Sequence, residues 1–130
     1  MAKWLKLRSS VWQAVKQTLP GQRGALAEHL AGRFLQRAGL TLVATNYRCR
    51  RGEIDLVMRE HTHWVFVEVK YRSRQNHGRA AEQFDYHKRR RVESAAMHYL
   101  QHHGLNPACT EHRIDLVAID GERIAWFKAV

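Results

Sequence analysis

A mixed α/β domain, a central sheet flanked by helices, is the fold class this sequence predicts, and three observations predict it. Two runs of β-formers, residues 52–59 and 64–70, stand either side of a short polar break and read as a hairpin. Apolar residues at helical spacing fill residues 22–38 and again 79–104. A further strand pattern over residues 113–120 follows the second helix, and strand, helix, strand in that order implies parallel pairing through a right-handed crossover.

The chain's 130 residues suffice for one core and not for two. They divide into a basic extension, residues 1–20, and a domain, residues 21–130. The extension carries Lys3, Lys6, Arg8 and Lys16 and no acid, and its Trp4, Leu7, Val11, Trp12, Val15 and Leu19 recur at roughly helical spacing. It reads as a basic amphipathic helix stopped at Pro20-Gly21. Four uses stand open for it: a membrane surface, a partner, nucleic acid, or cover for the domain's own core.

The first core helix follows, with Ala25, Leu26, Leu30, Phe34 and Leu35 repeating at three and four and Gly39 as its stop. A β-rich run over residues 41–47 then leads through Arg48, Arg50 and Arg51 into the hairpin. These arginines read equally as phosphate contacts or as a charged strand edge that discourages aggregation.

With residues 60–63 as the hairpin loop, Arg59 lies opposite Trp64, and the hydrophobic pattern pairs Met58 with Val65, Leu56 with Val67 and Ile54 with Val69. Alternation puts Ile54, Leu56 and Met58 on one face. The same register sets Asp55 opposite Glu68 and Glu53 opposite Lys70, a polar square within strands that are apolar on both faces. Opposed Cβ atoms lie about 5 Å apart, where two like charges destabilise a sheet. A solvated face and a Glu53–Lys70 salt bridge would be the plain reading. Burial on both faces argues instead for a positive group between the acids. Mg²⁺ commonly takes one or two carboxylates and fills its remaining positions with water and phosphate.

Beyond Lys70 the positive charge is densest, with eight Lys and Arg over residues 70–91, including Arg72, Arg74, Lys88, Arg89 and Arg91. Consecutive helical residues cannot all face one way, so only some of Lys88 to Arg91 can meet a ligand. Asp120-Gly121 reads as a tight turn, and residues 122–128 return as a last strand. Across the whole chain, 22 Lys and Arg against 12 Asp and Glu leave a formal charge of +10, which favours a polyanionic partner, nucleic acid first. No segment approaches the ~20 apolar residues of a membrane span. Two cysteines, Cys49 and Cys109, are too few for a disulfide scaffold, and with no secretory signal in view they point to the cytoplasm. His98 with His102, and Cys109 with His112, are pairs without the complete four-ligand spacing of structural zinc.

Asp55, followed thirteen positions on by Glu68-Val69-Lys70 at the end of an apolar strand, resembles the PD-(D/E)xK nuclease signature. Ile54 stands where that motif's proline would be. The segments GEIDLV and WVFVEVKYRS, with Lys88 and the later RIDLV, are similar over about residues 23–119 to the bacterial YraN family of nuclease-like proteins. The resemblance implies a restriction-endonuclease-like fold of order αβββαβ, which the patterning reaches independently, with a final hairpin strand and the basic extension added. It implies Asp55 and Glu68 as ligands of Mg²⁺ or Mn²⁺, Lys70 as the catalytic lysine, and Glu28, in GALAEHLA, as the glutamate that the first helix sets beside the metal. Glu53 is read as a further acid of the site. It implies as well an endonuclease that acts on DNA, branched or otherwise structured DNA by likeness to Holliday-junction resolvases, and that forms a homodimer. A second reading keeps the fold without the cleavage, a nucleic-acid-binding protein; a third makes the chain a membrane-associated or assembly factor through residues 1–20.

Overall fold

The computed structural model describes residues 2–72, 81 and 84–130. Its elements are β1 (Trp4–Lys6), α1 (Ser9–Gln17), α2 (Arg23–Arg37), β2 (Thr41–Cys49), β3 (Gly52–Glu60), β4 (His63–Arg72), α3 (Tyr86–His102), β5 (His112–Asp120) and β6 (Arg123–Phe127). The strands make one six-stranded sheet in the order β1-β6-β5-β4-β3-β2. β4 and β5 run parallel, joined through α3, and the other neighbours are antiparallel. This is the mixed α/β architecture that the patterning predicts, and it is compatible with a nuclease-like fold.

Helices cover both faces, which is why the central strands are apolar throughout. Ala27, Ala31 and Leu35 of α2 pack on Leu56, Met58, Val65 and Val67. On the other face Val92, Ala96 and Leu100 of α3 meet Val57, Phe66 and Ile114. α3 crosses β3 so closely that a Cβ on Gly52 would collide with the Arg91 carbonyl. That contact, rather than a turn, is what demands glycine there.

The hairpin register is as expected from Arg59–Trp64 through Met58–Val65 to Leu56–Val67. The turn is tighter than the four residues expected, because Glu60 pairs with His63 and His61 adopts a positive φ of 56°. At the other end the β3–β4 ladder stops at Leu56–Val67, so Ile54–Val69 is not a ladder pair.

Ile54 also turns to the face opposite that expected, packing with Val57 in the α3 layer while Leu56 packs in the α2 layer. The neighbouring strand is irregular at the same level. Asn46 sits at φ 53°, and the β2–β3 ladder passes from Thr45–Leu56 to Tyr47–Ile54 without pairing Asn46 to Asp55. A residue in the left-handed region interrupts the two-residue alternation, and asparagine is among the few that tolerate it.

Two further expectations change. The N-terminal segment is helical only over Ser9–Gln17, and Trp4–Lys6 instead adds an edge strand to β6. Trp4 stacks edge-on against Phe127 at 6.1 Å, and Val15 is buried, so this segment covers the domain's own core. The long helix begins at Tyr86 rather than residue 79, because the Asp85 carboxylate accepts the Lys88 N–H at 3.0 Å and caps it. The residues at 73–80, Arg74 among them, lie outside those described.

Candidate functional site

Past Leu56 and Val67 the two central strands part, and Asp55 fills the place of the missing ladder bond. Its Oδ2 accepts the Val69 N–H at 2.8 Å. A backbone donor that would otherwise seek a strand carbonyl is thereby satisfied by a side chain. This bond holds the Asp55 carboxylate against β4, and the neighbouring Glu68 carboxyl hydrogen-bonds to it. The predicted meeting of the two acids occurs, with Lys70 close enough to act on Glu68 electrostatically.

The pair is electrostatically expensive as it stands. Glu68 is pushed up to about 9, first by burial, then by its hydrogen bond to Asp55 and by the Asp55 charge; Lys70 offsets this in part and Glu53 adds to it. Either a proton or a cation must sit between these carboxyls. Glu28 projects from the first half of α2 toward the same place. Its carboxyl is also raised, by burial and then by the charge of Asp55, while a hydrogen bond from the Asn46 side chain favours the anion.

Two cavities open on this point, one in each helical layer. The larger, about 550 Å³, is lined by Glu28, Glu53, Asp55, Glu68 and Lys70, with Arg23 and Arg72 at its sides. The smaller, about 120 Å³, lies toward α3 and is lined by Glu53, Glu68, Lys70, Lys88, Arg91 and Val92. Glu68 and Lys70 therefore face both cavities, where the strands separate.

Not every predicted residue converges. Glu53 reaches the edge of both cavities but makes an exposed ion pair with Arg48 at 3.3 Å, and the expected Glu53–Lys70 ladder pair does not form. Arg50 and Arg51 are exposed at the β2–β3 turn, outside both cavities. Arg89 is tied to Glu93 at 2.6 Å and to the Val130 carbonyl at 2.7 Å, so its guanidinium braces the C-terminal segment instead of facing the acids. Among the described residues no three His, Cys, Asp or Glu side chains gather as a ready metal cluster. His98 and His102 stack ring on ring, and His98 Nδ1 meets the Tyr47 hydroxyl.

Sequence reasoning passed over two contributors. Arg23 opens α2 and reaches the larger cavity, and a basic residue just after the Pro20-Gly21 stop was the available signal. Asn46 shapes both the strand break and the Glu28 environment, and its only trace in the sequence is an asparagine inside a strand pattern. Asp115 of the RIDLV segment is fully buried and taken up by structure. It accepts the Trp126 Nε1–H at 2.8 Å, the Ala129 N–H at 2.9 Å and the Arg113 Nε–H at 3.0 Å, and Arg113 in turn pairs with Glu60 at 2.9 Å.

No described helix is long and apolar enough to cross a membrane. Residues 27–119 match the model of a family described as uncharacterised protein family UPF0102. The chain is 43% identical over 117 residues to a UPF0102 protein of Aeromonas hydrophila, covering 90% of this chain and 89% of that one. It is 42% identical over 106 residues to one from Shewanella pealeana, covering 82% and 92%. A third, from Shewanella putrefaciens, is 50% identical over 103 residues, covering 79% and 93%.

Proposed function

This chain belongs to the UPF0102 family, and we propose that it is a divalent-metal-dependent endonuclease that hydrolyses phosphodiester bonds in DNA, with branched or structured DNA as its substrate. The observation that carries the reading is the contact between the Asp55 and Glu68 carboxyls beside Lys70, where burial first and then Asp55 push the Glu68 carboxyl up to about 9, more than Lys70 offsets. Such a donor set suits Mg²⁺ or Mn²⁺, which would be held by Asp55, Glu68 and the Val69 carbonyl. When bound, the ion polarises a phosphate and lowers the pKa of a coordinated water.

The protein's own groups supply the rest. Lys70 orients the attacking water and offsets charge that develops on the phosphate oxygens. Glu28, steadied by Asn46, accepts a hydrogen bond from that water. Arg23 and Arg72 on one side of the parted strands, with Lys88 and Arg91 on the other, lie where a phosphate backbone crossing the site would pass. The +10 charge draws the polyanion in.

The test is purified protein with Mg²⁺ or Mn²⁺ on linear, flapped and four-way DNA, beside Asp55→Ala, Glu68→Ala and Lys70→Ala. Each substitution should lower cleavage by at least ~10²-fold while DNA binding persists. Cleavage that survives all three rejects this site. Binding without cleavage by the unsubstituted protein establishes the other reading, a nucleic-acid-binding protein that keeps the fold.

A further inference from the structure

The N-terminal segment does more than cover the core. β1 and α1 stop short of the outer face of α2, leaving a groove of about 370 Å³ between them. Leu7, Val11, Leu30, Phe34 and Ile124 form its floor. Leu5 stands at its edge, 39% exposed, one of few large apolar side chains so open among the described residues. Cations flank the floor on both sides, Lys6 and Arg8 from the β1–α1 side, Arg33 and Arg37 from α2. The two arginines are one turn apart on one helix, so they form a continuous rim. No carboxylate is among the described lining residues.

We propose that this groove is the docking site for an acidic amphipathic helix of a partner protein. An apolar floor between two basic rims is the complement of a helix with an apolar stripe at i, i+3, i+4 and i+7 bordered by glutamates on both sides. The competing occupants fit less well. Duplex DNA satisfies the rims and offers nothing apolar to the floor. A bilayer takes up protruding apolar side chains, whereas these lie in a concave surface. A second copy of the chain brings another +10 to a site already positive. The groove shares none of its lining with either cavity at the parted strands.

The probe is a labelled synthetic helical peptide with leucines at those four positions and glutamates beside them, titrated into the full chain by fluorescence anisotropy. Arg33→Glu/Arg37→Glu and Phe34→Asp serve as variants, and thermal melts establish that each is folded. Both arginines are exposed, so their reversal leaves the core untouched. Binding should be roughly micromolar and should weaken by about ten-fold or more in the double variant and in Phe34→Asp. Equal affinity of wild type and double variant overturns the proposal. So does the absence of peptide binding, preferential binding to phosphatidylglycerol vesicles over the peptide, or displacement of the peptide by duplex DNA.

Discussion

Replacing Glu68 by Gln should stabilise the metal-free protein at neutral pH, although the residue lies at the centre of the candidate site. The carboxyl is pushed up from 4.5 to about 9, by burial first and then by Asp55. Between those values the unfolded chain has released the proton and the folded chain has kept it. Stability therefore falls as pH rises, by about 1.4 kcal/mol per pH unit. Below 4.5 nothing is lost, and above about 9 the loss is complete. At about pH 7 the loss reaches ~3 kcal/mol, which water in the adjoining cavity of about 550 Å³ reduces to ~1–2 kcal/mol. Glutamine retains an N–H donor for Asp55 and has no proton to release. In EDTA, Glu68→Gln should melt ~3–8 °C above wild type at about pH 7, and the two should coincide near pH 4.5. Urea denaturation across this range measures the difference directly. A variant whose midpoint runs parallel to wild type at every pH, or falls below it at about pH 8, refutes the raised Glu68 carboxyl.

Two further substitutions probe the frame that holds them. Gly52→Ala forces a Cβ into the Arg91 carbonyl and should cost ~1–3 kcal/mol by overpacking, read as a lower urea midpoint with an unchanged slope. Asp115→Ala leaves the Arg113 guanidinium without its buried carboxylate and the Trp126 and Ala129 donors without an acceptor, and should cost ~3–5 kcal/mol. Glu60 still binds Arg113, so a cost under ~1 kcal/mol would show that pair to be sufficient.

Much of this architecture was legible because local pattern and tertiary burial agree. Leu56, Met58, Val65 and Val67 alternate in sequence, and the same four pack beneath α2, so the register could be read from the hairpin alone. Prediction failed where a long-range contact decides. Trp4–Lys6 becomes a strand because β6 offers an unpaired edge, a fact no window around residues 4–6 contains. Arg89 is drawn to Val130, forty-one residues away in sequence, and so leaves the basic face its neighbours suggested. The approach of Asp55 to Glu68 was expected from a register that stops one step short of them, at Leu56–Val67. The bond from the Val69 N–H that holds Asp55 there was not legible, because strand alternation carries no sign of a side chain standing in for a ladder carbonyl. The capping Asp85, by contrast, was in plain view and was outweighed by an apolar periodicity that began too early.

The bond from the Val69 main chain to Asp55 makes the peptide plane at Val69 a natural sensor. Its amide proton answers to a titratable group instead of to a carbonyl, so its nitrogen and proton resonances should follow whatever that carboxylate is holding. A single backbone signal, without substitutions, would thus register the arrival of a proton or a cation at the junction of the parted strands.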